Sequence, residues 1–497
     1  MAKSQLRIHY KNVMAEVIGD EHGITKRQWA ELAEKVEPLI PYIMKEIVGQ
    51  KRHPDITCTR YGSLLTNTGI VRKVLAQVGR IQKKKKCDNL VVLGIGGSAL
   101  GNIALQTALN PYMYNLDDKL REGRPRLFVF DNIDPSQLSS FLKWLGEGLE
   151  RTVFNVISKS GRTAETAAQL LLIKKEFSGK KYSKEPLADH IVVTTGFEKD
   201  QQRKPKSTLY RIAKAEKPNL PILEVPGDVG GRFSVLSAVG LFSAAMCGIN
   251  IDELLDGARD MHDRVSRTSF EENPAAINAA INYHYYKHGK RNSVMMPYAY
   301  ALKDMADWYR QLWAESLGKN RDLAGNEVEI GPTPIRALGA TDQHSQVQLY
   351  REGPNDKLFT FLQVNDFDSD IRIGPAPHCA PELGFLAGKK LSTLLNNEKK
   401  ATEYALLHDR RPCLTVVFDR VDARTVGQFI YLFEVTTSFA GALFNIDTYN
   451  QPAVELGKEA TFALMGKKGY CKLVEMRYEK FAREIITATQ IDKRYFV

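Results

Sequence analysis

Residues 153–172 read V-F-N-V-I-S-K-S-G-R-T-A-E-T-A-A-Q-L-L-L. The apolar run 153–157 lacks polar alternation and predicts a strand covered on both faces; residues 164–172 predict a helix. Between them stand Ser158, Lys159, Ser160, Gly161, Arg162 and Thr163. A helix N-terminus offers unpaired N–H groups and a partial positive charge, and hydroxyls beside it add short directional donors. With two cations and a flexible glycine, this composition suits a dianionic phosphate. A simple N-cap is the competing reading, since Ser and Thr favour that position in any helix. Capping needs one hydroxyl, however, and three crowd here.

The same pattern recurs on either side. Apolar runs at 90–93, 127–130, 190–195 and 221–225 alternate with helical stretches, which predicts a doubly wound parallel α/β domain over residues 85–262. A second unit of similar plan begins near Ser293 and is expected to span 285–455, flanked by helical segments at 1–60 and 456–497. Thr25 and Gln28 have capping-box spacing ahead of Trp29, Leu32 and Val36. Ligands of such sheets bind beyond the carboxyl ends of the strands. Two further loops are expected there. Gly94-Ile-Gly-Gly-Ser98-Ala fits a dinucleotide fingerprint formally, but Asp117 and Asp118 sit in a polar loop and Asp131 lies too far along. A backbone cradle for a sugar or one phosphate, with Ser98 as donor, fits as well. Pro226-Gly-Asp-Val-Gly-Gly-Arg232 then places a cation at the start of an uncharged helix, where burial demands an anionic partner.

With 497 residues, 43% apolar and 26% charged, the chain has the composition of a globular protein of several domains. Its net charge of +11 is scattered. The one dense run, residues 83–86, has no interleaved aromatics to stack bases, so nucleic-acid binding is not expected. Six cysteines without a C-x-x-C pair read as reduced thiols. No signal-peptide core opens the chain. Ser234, Ser237, Gly240 and Ser243 make the uncharged stretch 233–251 a core helix rather than a membrane span. The expected setting is the cytoplasm, with no membrane partner.

Four more residues carry chemistry. In the helix predicted around residues 304–319, Trp308, Gln311, Leu312 and Glu315 share one face, which places a carboxylate on an apolar stripe. Desolvation there would raise its pKa toward that of a general base. His344 follows among small polar residues, and Gln451 and Lys458 flank a Pro-started helix. No metal or cofactor motif emerges. His284 and His288 lack the intervening Glu of zinc helices and read as an exposed face. The Asp366, Asp368, Asp370 series meets Ile371 and Pro377 where a calcium loop needs Gly and Glu. A base, a His, a Lys and an Arg around a phosphorylated ligand suit proton transfer next to a carbonyl. Hydride transfer with a nicotinamide, and a non-catalytic sugar-phosphate sensor, stand as alternatives.

Six blocks taken together, V-L-G-I-G-G-S-A-L-G, S-K-S-G-R-T-A-E-T, G-D-V-G-G-R-F-S-V-L-S, Q-L-W-A-E-S-L-G-K, G-A-T-D-Q-H-S-Q and N-Q-P-A-V-E-L-G-K, closely resemble the phosphoglucose isomerase family, in the family's order. The loop Ser160-Gly-Arg-Thr163 resembles the bacterial form. The resemblance implies two sugar-isomerase (SIS) αβα sandwich domains with helical extensions. It also implies a homodimer with shared active sites and interconversion of glucose 6-phosphate and fructose 6-phosphate, a step of glycolysis and gluconeogenesis. By motif position Glu315 would move the proton, Arg232 would stabilise the enediolate, and His344 (from the other subunit) with Lys458 would open the ring. Gly97, Ser98, Gln311 and Gln451 would line the sugar; Ser158, Lys159, Ser160 and Thr163 would hold the phosphate.

Overall fold

The computed structural model describes residues 3–50, 56–57, 59–84, 87–178, 186–199, 205–468, 470–471 and 476–491. Two five-stranded sheets organise the unit Met1–Tyr449. The first is wholly parallel, in the spatial order Arg126–Phe130, Asn89–Leu93, Thr152–Ile157, Ile191–Gly196, Ile222–Val225. Every strand foreseen for it is present. Two of its inner members, Asn89–Leu93 and Thr152–Ile157, are buried throughout and largely apolar because each face has its own core. Leu90, Val92, Val153 and Ile157 pack into the large central cluster, and Val91, Leu93, Phe154 and Val156 into a separate one on the far side. The period of two along each strand divides a continuous apolar run between two helical layers.

Chain order reverses between Asn89–Leu93 and Thr152–Ile157, so the loops leaving these adjacent strands diverge and open a crevice at their carboxyl ends. Both glycine-rich and hydroxyl-rich loops start at that point.

The second sheet repeats the plan. Asn292–Pro297 lies between Thr333–Arg336 and Lys357–Asp366, all parallel, with Cys413–Arg420 next. Its outer edge is Leu6–His9, paired antiparallel with Cys413–Arg420. A helical reading of the first residues therefore fails at this point: Leu6 is fully buried and its neighbours alternate outward, the pattern of an edge strand rather than a helix. From Lys26 onward the expectation holds, with the Thr25–Gln28 capping box made on both sides. Pro41 stands in the first turn of the helix Ile40–Ile47, where its missing N–H costs nothing.

Helices Ala238–Met246, Ile251–Val265, Pro274–Lys287 and Ala423–Leu443 fill the centre of the unit. Ala238–Met246 is buried along nearly its whole length, as its uncharged sequence requires, and no described helix is long and apolar enough to cross a membrane. His284 is buried too, which corrects the exposed-face reading. Its ring stacks on His288 at 4.1 Å, and burial pushes its pKa down to about 4. The unit Asn450–Val497 holds helices Val454–Leu464 and Tyr478–Ala488, joined through a short antiparallel pair that a purely helical tail did not foresee.

Candidate active site

The hydroxyl loop is built around Ser158. Its N–H continues the ladder to the Thr194 carbonyl, and its Oγ accepts the Gly161 N–H at 3.1 Å and pairs with Thr163 Oγ1 at 2.8 Å. Thr195 Oγ1 donates to the Ser158 carbonyl at 2.6 Å, tying the turn to the next strand. Gly161 has φ +65°, and a Cβ there would stand 2.4 Å from Ser207 Oγ, so only glycine fits. Ser160 is exposed and accepts the Arg162 N–H at 3.2 Å. Lys159 turns its Nζ to the Val229 carbonyl at 3.0 Å; burial lowers its pKa, against the opposing pull of Glu198 and Asp228. The loop is thus a preformed turn at the start of helix Ala164–Ser178, edged by hydroxyls and a lysine.

The glycine loop closes against the turn that carries Arg232. A Cβ on Gly97 would lie 2.3 Å from the Gly231 carbonyl carbon and oxygen, so the two backbones touch where a side chain would hold them apart. One on Gly96 would meet Gln311 Nε2 at 2.8 Å. Ser98, at the end of the short 3-10 turn, is half-buried.

Glu315 sits in the last turn of the helix Lys303–Leu317, and Leu312 and Trp308 beneath it are buried as the apolar stripe predicts. Its carboxylate is not submerged in that stripe. The side chain is 34% exposed and held by polar partners. Oε1 accepts from Gln311 Nε2 at 3.0 Å, and Oε2 from Arg232 Nη1 at 3.3 Å. Arg232 is almost wholly buried, and desolvation lowers its pKa although Glu315 opposes the shift. A carboxylate in the last turn of a helix also faces the negative end of the dipole. Lys319 offsets this, donating to the carbonyls of Glu315 and Ser316, each at 2.8 Å.

Gly96, Gly97, Arg232, Gln311 and Glu315 therefore converge where the crevice of the first sheet meets the end of one helix from the second. The hydroxyl loop leaves the strand next to the one that feeds the glycine loop. His344 does not join them. It is exposed at the end of the 3-10 turn Thr341–His344. Gln451 and Lys458 lie in the C-terminal unit, exposed, with Lys458 Nζ donating to Glu455 at 2.6 Å. Asp117, once a candidate for a nucleotide ribose, caps the helix Asp118–Arg121. Sequence reading missed Ser316, Lys319 and Thr448, all of which bond to the central pair or its helix end. Only the one-residue offset of Ser316 from Glu315 hinted at any of them. A cavity of about 360 Å³ lined by Phe367, Ile371, Leu391 and Leu395 contains none of the site residues.

The phosphoglucose isomerase family model matches residues 70–469. Glucose-6-phosphate isomerase of Carboxydothermus hydrogenoformans is 49% identical over 388 residues, covering 78% of this chain and 81% of that one. The crystal structure of a hypothetical protein from Thermus thermophilus superposes with a TM-score of 0.76 at 30% identity, over 92% of this chain and 99% of that chain. A glucose-6-phosphate isomerase from Chlamydia trachomatis shares the fold, with a TM-score of 0.74 at 21% identity over 97% of this chain and 92% of that chain. On the extent of these matches, the chain belongs to the phosphoglucose isomerase family.

Proposed function

We propose that the Glu315–Arg232 pair and the 158–163 loop are the chemical and anchoring ends of one site, at which the chain interconverts D-glucose 6-phosphate and D-fructose 6-phosphate. The observation that carries this reading is the carboxylate–guanidinium contact at 3.3 Å, beside a glycine loop with no room for a Cβ at Gly97. Ser158, Lys159, Ser160 and Thr163 take the phosphate, and Gly97, Ser98, Gln311 and Gln451 line the sugar. Lys458 and His344 move protons during ring opening. Glu315 then removes the C2 proton of the open aldose. The electron pair left behind forms the C1–C2 double bond of an enediolate, whose oxygen charge Arg232 balances. Moving the hydroxyl proton from O2 to O1 and returning the carbon-bound proton to C1 gives the ketose, so atoms and charge balance with no metal or cofactor.

Both carboxylate oxygens of the free enzyme are hydrogen-bonded, to Gln311 and to Arg232. Substrate oxygens compete for these donors, and that exchange releases the base only when a sugar is present to use it.

A second subunit completes the site through His344. Two features support the sharing. His344 follows a strand that ends at Arg336, and Arg336 ion-pairs with Asp307 near the start of the Glu315 helix. The residue before His344, Gln343, accepts from Tyr298 Oη at 2.8 Å, just ahead of that helix's start at Lys303. Lys303 stands twelve residues, about 18 Å, from Glu315, so within one chain the turn carrying His344 is tied to the other end of the helix.

The test is a coupled assay of glucose 6-phosphate formed from fructose 6-phosphate without added metal. Glu315→Gln should lower kcat by about four orders of magnitude, a proton-transfer contribution at the upper end, while sugar-phosphate binding survives. Turnover near the unaltered rate would remove Glu315 from its role.

A further inference from the structure

The guanidinium of Arg232 is fixed at all three nitrogens. Nη1 meets Glu315, Nη2 donates to the Thr448 carbonyl at 2.7 Å, and Nε donates to Ser316 Oγ at 2.7 Å. The first two partners are unsurprising, one the proposed base and the other a backbone carbonyl. Ser316 is different. Its side chain is fully buried in the last turn of the Glu315 helix, one residue beyond the base. A planar guanidinium held on three separate edges cannot rotate in its plane, so the direction of its charge is set before substrate arrives. Successive helical residues point about 100° apart. One arginine touching both 315 and 316 must therefore span the ridge between them. Lys319 holds the carbonyls of the same two residues, which pins the turn itself.

We infer that Ser316 is a positioning residue of the isomerase, whose hydroxyl orients Arg232 so that its charge faces the oxygen of the enediolate. This rests on the role proposed for Arg232. Ser316 touches neither the substrate nor the proton in flight, and it acts through the arginine alone. Removing its hydroxyl leaves a buried charged N–H without its acceptor and frees the guanidinium to tilt. The ground state, in which the sugar carries no negative oxygen at C1 or C2, is little affected. The loss should fall on kcat rather than KM, because only the transition state uses the oriented charge.

A double-mutant cycle decides it. Ser316→Ala, Arg232→Lys and the double variant are assayed for kcat and KM, with thermal melting to confirm folding. Ser316→Cys, closer in volume, serves as a second variant should alanine prevent folding. Ser316→Ala is expected to lower kcat about 30-fold with KM within about twofold, and to cost less than about threefold once Arg232 is lysine, which lacks the fork. Equal losses in both backgrounds overturn the inference, as does a loss confined to KM or no loss at all. If Arg232→Lys alone leaves kcat unchanged, the role of Arg232 fails instead, a separate outcome from an uncoupled cycle.

Discussion

At the scale of single residues, the site is a problem in charge placement. Glu315 stands at the negative end of a helix, beside a buried arginine, with a second cation one turn along. That cation, Lys319, has its pKa lowered to about 8, chiefly by burial and then by Arg232, while Asp447 and Glu315 pull the other way. The folded ammonium gives up its proton near pH 8, and an unfolded lysine near 10.4. Between those values the unfolded chain binds one more proton, so the contribution of this group to stability rises with pH there; below pH 8 both states are charged and the burial cost is fully felt. Lysine Nζ spectra should show a resonance with a midpoint near 8 that disappears in Lys319→Arg. The stability of the unaltered chain relative to that variant should climb between pH 8 and 10. Titration of Lys319 above pH 10 would mean that water reaches the ammonium. None of this was legible in the sequence. Residue types announced Glu315 and Arg232, but the expectation of a carboxylate immersed in an apolar stripe overlooked that a neighbouring loop delivers its counter-charge. Helical periodicity describes one element and cannot see partners that arrive from another.

Elements were far easier to read. The strands of the first sheet were evident from short apolar and β-branched stretches between helical ones, most plainly Asn89–Leu93 and Thr152–Ile157, where cover on both faces leaves no solvent side to break the pattern. The capping box at Thr25 and the uncharged helix after Arg232 were equally plain. Leu6–His9 was missed because four residues at a sheet edge carry too short an alternation to outweigh the helical sequence that follows. The glycines were noticed as flexible, whereas what matters at Gly97 is the absence of volume. Gly97→Ala should force the glycine loop off the Arg232 turn, and kcat should drop about 100-fold or more with the fold retained, since a Cβ placed 2.3 Å from the Gly231 backbone cannot be relieved cheaply. Gly79→Ala, in the helix Thr68–Lys84 where a Cβ meets nothing within 4 Å, should leave activity alone and raise stability by up to about 1 kcal/mol. Assaying kcat and urea midpoints together checks both. An active Gly97→Ala enzyme would show that the contact between the two loops is not needed.

On the scale of the whole molecule, four strands of the second sheet repeat the order of the first, yet the two sheets contribute differently. The first offers the carboxyl-end crevice usual for such sheets, and the second offers the far end of a crossover helix. Its own carboxyl-end loop carries His344, which the function proposed above gives to the site of a second subunit. In an isologous dimer each chain would give what it lacks and receive the same in return. The arrangement can be tested by complementation. Glu315→Gln and His344→Ala homodimers should each be nearly inactive. Mixed under conditions that exchange subunits, half of the dimers become heterodimers. In each, one site combines both defects, and the other pairs an intact Glu315 from one chain with an intact His344 from its partner. Activity should recover to about a quarter of that of the unaltered enzyme, with its ordinary KM. If both residues served the same site within one chain, every site in the mixture would carry one defect and no activity would return. Recovery after exchange, and its absence when the subunits are cross-linked beforehand, separates the two designs.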